Sequence, residues 1–282
     1  MKKLKQWIAA ALAGVLALGV LTGCGQSGGS SSGSLESIKE RGTIRIGVFS
    51  DKPPFGYIDS NGENQGYDVY LAKRLAKDLL GDESKVEFVL VEAASRVEYL
   101  QSNKVDLLLA NFTVTKERAE QVDFANPYMK VALGIVLKDG GITSVDQLKG
   151  KTLAVNKGTT AETYFTENYP DINLLKFDQN TETFQALKDG RADALAHDNT
   201  LLFAWANEND GFEVGVSSLG SHDTIAPAVK KGNDELRSWV NDELAKLGEE
   251  KFMHKNYQET LLPYYGDDID PEDVVVEGGA LE

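Results

Sequence analysis

Apolar residues along the chain recur with spacings that predict alternating strands and helices. Residues 43–49 are rich in β-branched residues and predict a strand. Residues 68–80 carry apolar side chains at helical spacing and predict an amphipathic helix. Two further strands are predicted at 86–91 and 105–110, and the second is apolar enough to be buried on both faces. This order favours a mainly parallel sheet with helices on both faces.

A second unit with the same alternation follows. Its strands and helices are predicted, in order, at 152–155, 160–168, 174–177, 181–187 and 192–196. The chain therefore predicts an α/β fold with two similar units.

Two apolar segments connect the units. Residues 132–137 predict a long crossing strand, and 224–229 are a candidate for the return crossing. Helices within 233–258 are expected to pack back on the first unit. We predict hinges near 132–138 and 222–229, with a cleft between two lobes. The predicted division gives lobe 1 residues 35–133 and 226–282, and lobe 2 residues 134–225.

The two units share a short sequence pattern. Residues 100–111 and 187–198 place a leucine, a basic residue, a small apolar residue and an aspartate in register. The alternatives are a true repeat, or chance combined with a common helix-turn-strand order. In a true repeat, Asn111 and Asp198 follow equivalent strands, at the carboxyl edge where ligands bind in open α/β sheets.

The N-terminus has the features of an export signal. Three lysines precede an apolar run at 8–21, which is too short to span a bilayer as an ordinary helix. The run ends in Leu-Thr-Gly before Cys24, the only cysteine. We predict a lipoprotein signal at 1–23 with Cys24 as the lipidated first mature residue. The alternative is a free cysteine at the end of an uncleaved anchor. Residues 24–34, rich in Gly and Ser, predict a flexible linker.

Charge limits the partners of the chain. Removing the three signal lysines leaves 26 of the 29 basic residues against 44 acidic ones, a net charge of −18. Nucleic acid and anionic lipid surfaces should repel such a protein, so we expect membrane attachment through the lipid alone. The expected location is extracytoplasmic, on the cell membrane or in the periplasm of a two-membrane cell.

Candidate ligand groups stand after the predicted strands. Asn111 and Thr113 follow the third strand, and Arg118 falls in the first turn of the next helix. Arg118 can grip a carboxylate with two hydrogen bonds. The alternative is a surface arginine paired with Glu117 or Asp123.

The second unit offers a matching set. Gly158, Thr159 and Thr160 form a turn before a helix, which suits a carboxylate but also describes an ordinary helix cap. Asp198 follows a buried strand and can hold an ammonium group, or it can cap the next helix. Together these groups suit the common part of an amino acid.

Three other residues are candidates for the pocket wall. Phe55 lies in the loop after the first strand, where it can cover a ligand or fill the core. Lys52 and Arg96 are basic residues near strand ends, and each can touch ligand or solvent. The three histidines are scattered, and no P-loop, dinucleotide fingerprint or nucleophile elbow is present. We expect no metal, no cofactor and no catalytic residue.

Several motifs are typical of one family. The chain resembles the polar amino-acid solute-binding proteins of ABC importers (bacterial family 3), and within them the cysteine-binding lipoproteins. The family motifs are Arg45-Ile46-Gly47-Val48, Pro54-Phe55, Gly66-Tyr67-Asp68-Val69, Thr113-x-Thr115-x-x-Arg118, Asp123-Phe124, Pro127-Tyr128 and Gly158-Thr159-Thr160. The stretches shared with the cysteine-binding lipoproteins are 51–57, 85–94, 156–161, 179–184 and 196–205.

The resemblance implies a two-lobed type II periplasmic-binding-protein fold whose lobes close on the ligand. It implies that Arg118 binds the ligand carboxylate, that Asp198 holds the ammonium group, and that Phe55 forms a wall of the pocket. Lys52 stands where many relatives carry an aromatic residue. The implied partners of a monomeric receptor are an amino acid, best matched by L-cysteine, and an ABC permease with its ATPase. The alternatives are an aspartate, glutamate or glutamine receptor, a secreted cyclohexadienyl-type dehydratase, or a sensor or adhesin.

Overall fold

The computed structural model describes residues 33–281. The predicted signal peptide, Cys24 and most of the linker lie outside the described residues. The strands are β1 (Ile44–Val48), β2 (Asp51–Lys52), β3 (Gly56–Ile58), β4 (Asn64–Gln65), β5 (Val86–Leu90), β6 (Leu107–Leu108), β7 (Val122–Phe124), β8 (Met129–Lys138), β9 (Thr152–Asn156), β10 (Asn173–Phe177), β11 (Ala194–Asp198), β12 (Phe212–Ile225) and β13 (Ala228–Lys230). The helices are α1 (Leu35–Arg41), α2 (Tyr67–Leu80), α3 (Arg96–Gln101), α4 (Lys116–Gln121), α5 (Thr160–Asn168), α6 (Asn180–Lys188), α7 (Asn199–Glu208), α8 (Asp234–Glu249), α9 (Phe252–Thr260), α10 (Leu262–Tyr265) and α11 (Pro271–Val274).

Two five-stranded sheets form the two halves of the fold. The first has the order β5-β1-β6-β13-β7 and the second β10-β9-β11-β8-β12. In each sheet the three strands listed first are parallel, whereas the other two pair antiparallel with their neighbours. The predicted α/β class is therefore confirmed, and the predicted parallel arrangement holds for three of the five strands in each sheet. A small third sheet, β2-β3-β4, follows β1.

A long antiparallel pair, β8 with β12, carries the chain into and out of the second sheet. The predicted crossing at 132–137 lies within β8. The predicted return crossing at 224–229 is not one strand, because β12 ends at Ile225 and β13 begins at Ala228. Pro227 lies in the gap, and proline has no N–H to continue a strand ladder. The predicted lobe boundaries fall inside β8 and at the end of β12, and they remain a prediction.

Hydrogen bonding explains why two of the strands have bounds that differ from the predicted ones. The strand predicted at 105–110 is only β6, because Leu107 and Leu108 are the residues paired with both β1 and β13. The strand predicted at 192–196 begins two residues later, at Ala194, because the Ala192 N–H donates to Ala186 at the end of α6. Consequently, Asp198 is the last residue of β11 and does not lie past the strand, where the apolar pattern predicted it.

Apolar side chains on both faces of the sheets hold the helices. In the second sheet, Leu153 and Val155 pack in the cluster that contains Phe165 of α5. Ala154 points to the other face and packs in the cluster that contains Leu187 of α6. The C-terminal helices pack on the first half, with α9 on α2 and α8 on β13. Among residues 33–281, no helix is long and apolar enough to cross a membrane.

Candidate functional site

The predicted ligand groups meet where the carboxyl ends of the parallel strands of the two sheets face each other. Asn111 of the first half donates its side-chain N–H to Asp198 Oδ2 of the second half at 2.9 Å. The ammonium group of Lys52 lies 3.6 Å from the same oxygen. All three side chains are buried. The cleft therefore contains a polar group assembled from both halves.

Asp68 fixes the position of Asn111. Its carboxylate accepts the Asn111 backbone N–H at 2.8 Å and the Tyr128 hydroxyl at 2.6 Å. Asn111 has a positive φ of 44°, which is uncommon for a residue other than glycine. These two hydrogen bonds hold that conformation, so Asp68 orients the amide that reaches Asp198.

Burial and neighbouring charges shift the pKa values of this group. Burial lowers the pKa of Lys52 to about 8, although the nearby Asp198 raises it. For Asp198, burial raises the pKa, but the cations led by Lys52 outweigh it and hold the pKa below its ordinary value. Burial raises the pKa of Asp68 to about 6, against the hydrogen bonds from Tyr128 and Asn111. Asp198 is therefore ionised and able to accept an ammonium group.

Two arginines form the other side of the cleft and share one acceptor. Arg96 Nη2 and Arg118 Nη2 each donate to the Gly158 carbonyl oxygen at 3.0 Å. Both guanidinium carbons lie 4.5 Å from the centre of the Phe112 ring. The arginines belong to the first half and Gly158 to the second, so these hydrogen bonds join the halves.

The two arginines differ in what else they bind. Arg96 is buried and donates also to the carbonyls of Ala93, Ala110 and Asn111. Arg118 donates to the Thr113 carbonyl at 2.7 Å and lines a cavity of about 510 Å³ together with Thr160. Burial lowers the pKa of Arg118 to about 10, which leaves it charged at neutral pH. Arg118 thus faces open space, whereas Arg96 holds the backbone.

The turn before α5 allows the two halves of the protein to approach each other closely. Gly158 has φ of 74°, and a Cβ there would lie 2.5 Å from the Ala94 Cα. Only glycine lets the halves come this close without a shift. The Thr159 hydroxyl accepts the Glu162 N–H as a helix cap, and the Gly158 N–H donates to the Glu162 carboxylate at 2.7 Å. One of the turn's N–H groups is therefore already engaged.

Phe55 and Thr113 are both buried. Phe55 packs in the large core cluster, and its carbonyl accepts the Asp68 N–H. Thr113 bridges to Ile225 at the end of β12, beside the return crossing. Their predicted contacts with a ligand remain predictions.

Asn156 is a polar residue of the second sheet that sequence reasoning missed. Asn156 is the last residue of β9. Leu195 of β11 pairs with Ala154 of β9, and continuing this register by two residues places His197 beside Asn156 on the same face of the sheet. Within residues 33–281, the Asn156 amide and His197 Nε2 have no hydrogen-bond partner although they are buried. Burial, and next Lys52, lowers the pKa of His197 to about 3, so the ring is neutral. Asn156 was detectable, because it stands at a strand's carboxyl end directly before the predicted turn.

Comparison with known proteins decides the family. The family model for bacterial extracellular solute-binding proteins, family 3, matches residues 44–261. The chain belongs to this family. Its two-sheet fold with a cleft is the two-lobed type II fold of the solute-binding proteins, as predicted. Membership also gives the protein an extracytoplasmic location.

Individual relatives in the family carry the names of binding proteins. The chain is 35% identical over 257 residues to the ABC transporter glutamine-binding protein GlnH of Bacillus subtilis (strain 168), covering 86% of this chain and 93% of the relative. It is 63% identical to the structure of a cysteine-binding protein from Campylobacter jejuni, with a TM-score of 0.85 over 86% of this chain and 98% of that one. The structure of a solute receptor for L-cysteine of Neisseria gonorrhoeae is 62% identical, with a TM-score of 0.85 over 86% of this chain and 100% of that one.

Within residues 33–281, no group of three or more His, Cys, Asp or Glu side chains is arranged to hold a metal ion.

Proposed function

We propose that the protein captures free L-cysteine outside the cytoplasm and delivers it to the permease and ATPase of an ABC importer. The chain is an amino-acid solute-binding receptor of ABC transport and is not an enzyme, as its family and relatives indicate. The observation that carries the choice of cysteine is the 62–63% identity to two cysteine receptors with the same fold. The receptor works as a monomer, and lipid on Cys24 tethers it.

The amino acid is held between the lobes by opposite charges. Asp198 binds the ammonium group of the ligand. In the structure, the Lys52 ammonium group lies 3.6 Å from Asp198 Oδ2, a longer contact that the ligand ammonium group replaces. Arg118 binds the carboxylate, with the backbone and hydroxyl groups of Thr113 and the turn at Thr159 and Thr160. Charge-assisted hydrogen bonds of this kind are the strong ones. Because these partners come from both lobes, the ligand favours closure.

The cysteine side chain lies near Lys52. A thiol ionises more readily beside an ammonium group, and Lys52 is buried next to the face that carries His197 and Asn156. His197 Nδ1 accepts the Asp198 N–H, so the proton of the neutral ring is on Nε2. The Nε2–H group can then donate a hydrogen bond to sulfur. This arrangement favours sulfur as thiolate over the hydroxyl of serine.

Glutamine is the second candidate ligand. One relative is named a glutamine-binding protein, and the buried Asn156 amide offers a donor and an acceptor to a carboxamide. Aspartate and glutamate are the acidic rivals, because Lys52 is a cation in the cleft.

A ligand panel tests the proposal. The lipid-free body from residue 34 onward is heated with cysteine, serine, cystine, glutamine, glutamate, aspartate or arginine, with reductant in every sample except that with cystine. Cysteine should raise the unfolding temperature most, because a ligand that binds only the folded state stabilises it. A larger rise with another amino acid overturns cysteine while leaving the receptor function intact. Lys52→Met should reduce the preference for cysteine over serine.

A further inference from the structure

Asp51 of the first lobe reaches across the cleft to the first turn of α6 in the second. Its Oδ2 accepts the backbone N–H of Asn180 at 2.8 Å and that of Thr181 at 3.4 Å. Its Oδ1 accepts the side-chain N–H of Asn180 at 3.0 Å. One carboxylate thus binds three N–H groups of the opposite lobe.

Helix α6 does not cap itself. The N-cap residue of α6 is Gln179, and within the described chain its side chain makes no capping hydrogen bond. In contrast, α5 is capped by its own Thr159. The free N–H groups at a helix start carry partial positive charge and favour a carboxylate. Asp51 therefore supplies from lobe 1 the cap that the α6 sequence does not provide.

This contact is separate from the predicted amino-acid clamp. Asp51 lines a groove with Pro53 on one side and Phe184 and Trp205 on the other. The rings of Phe184 and Trp205 stack with centroids 4.6 Å apart, which gives α6 a firm support at this point. Opening the cleft must remove Asp51 from α6 and expose the uncapped N–H groups to solvent.

We propose that Asp51 is a positioning residue that latches the cleft closed and slows escape of the bound amino acid. The hydrogen bonds of its carboxylate go to Asn180 and Thr181, which are not residues of the predicted clamp. It favours the closed arrangement by capping α6 only when the lobes are together. The inference rests on the proposed function in that an amino acid must bind before its escape is measured.

The test compares Asp51→Ala with the wild type by stopped-flow kinetics and small-angle scattering. The dissociation rate of cysteine should rise about tenfold with little change in the association rate. The unliganded variant should also have a larger radius of gyration. Asp178→Asn is the matched control, because Asp178 stands just before α6 but pairs with Lys157 in its own lobe. It should leave both measurements unchanged.

A double variant separates a latch from a simple helix cap. Asp51→Ala with Gln179→Asp gives α6 a cap from its own lobe and should restore thermal stability. Fast dissociation should persist, because the link between the lobes is still missing. Restored slow dissociation, or an unchanged rate in Asp51→Ala, overturns the latch. Absence of amino-acid binding by the wild type rejects the proposed function instead, and the scattering of the unliganded variants then decides the latch alone.

Discussion

Replacing Lys52 with methionine should make the unliganded protein more stable at neutral pH. The side chain is buried, and burial lowers its pKa from 10.5 to about 8. A lowered lysine pKa means that the folded state disfavours the ammonium form. The difference between a pKa of 10.5 and one of about 8 corresponds to about 3 kcal/mol. This cost already includes the attraction between Lys52 and Asp198. Replacing the ammonium group with an apolar side chain should therefore remove the whole cost.

The sign of the pH dependence follows from the two pKa values. Below pH 8 the lysine is charged in both states and the folded protein bears the full cost. As the pH rises from about 8 towards 10.5, the folded state releases the proton first and the cost declines. The stability gained by Lys52→Met should therefore be about 3 kcal/mol at pH 7 and about half of that at pH 9.5.

Urea denaturation of the unliganded body at these two pH values measures the gain. Lys157→Met is the control, because Lys157 is a half-exposed lysine paired with Asp178, and its removal should change little. A loss of stability in Lys52→Met at pH 7, or an equal gain at both pH values, would refute the reasoning. Confirmation would show that the cleft keeps a destabilising charge for binding.

Three further predictions concern binding, closure and anchoring. Arg118→Ala and Asp198→Ala should each weaken cysteine binding by about 2–5 kcal/mol in calorimetry, since each leaves a ligand charge buried and unpaired; affinities within twofold of wild type contradict the clamp. Gly158→Ala should prevent the decrease in radius of gyration that ligand causes in the wild type, because its Cβ meets Ala94. Cys24→Ala should leave the chain unprocessed or released in membrane fractionation, and a processed, membrane-bound variant contradicts lipid anchoring.

The fold was predictable where local sequence decides local structure. The helix predicted at 160–168 matches α5 residue for residue, because Gly158 and the Thr159 cap are visible in the sequence. The strand predicted at 43–49 contains β1 for a similar reason, since β-branched residues favour extended backbone. The two-residue strand β2 was not predicted, because it exists only through pairing with β3.

The site was predictable to the level of strand ends. The rule that ligands bind at the carboxyl edge nominated Asn111 and Asp198, which the structure joins by a hydrogen bond. The same rule cannot reveal which groups cross the cleft. Asp68 has the sequence position of an ordinary helix residue, and its contact with Asn111 spans 43 residues. Such contacts depend on how close the lobes come, which no local pattern records.

The charges in the cleft explain why capture and closure are linked. Closing brings Arg96 and Arg118 to one carbonyl oxygen, and after burial their mutual repulsion is the next largest influence that lowers the pKa of Arg96. The hydrogen bonds to Gly158 favour closure. The repulsion lies within the first half, and closing strengthens it by removing the water that screens it. In the proposed clamp, the ligand carboxylate lies beside Arg118 and offsets the repulsion, and Asp198 neutralises the ligand ammonium group. A ligand can shift the lobes only by binding one arrangement better, and this difference in charge supplies the preference.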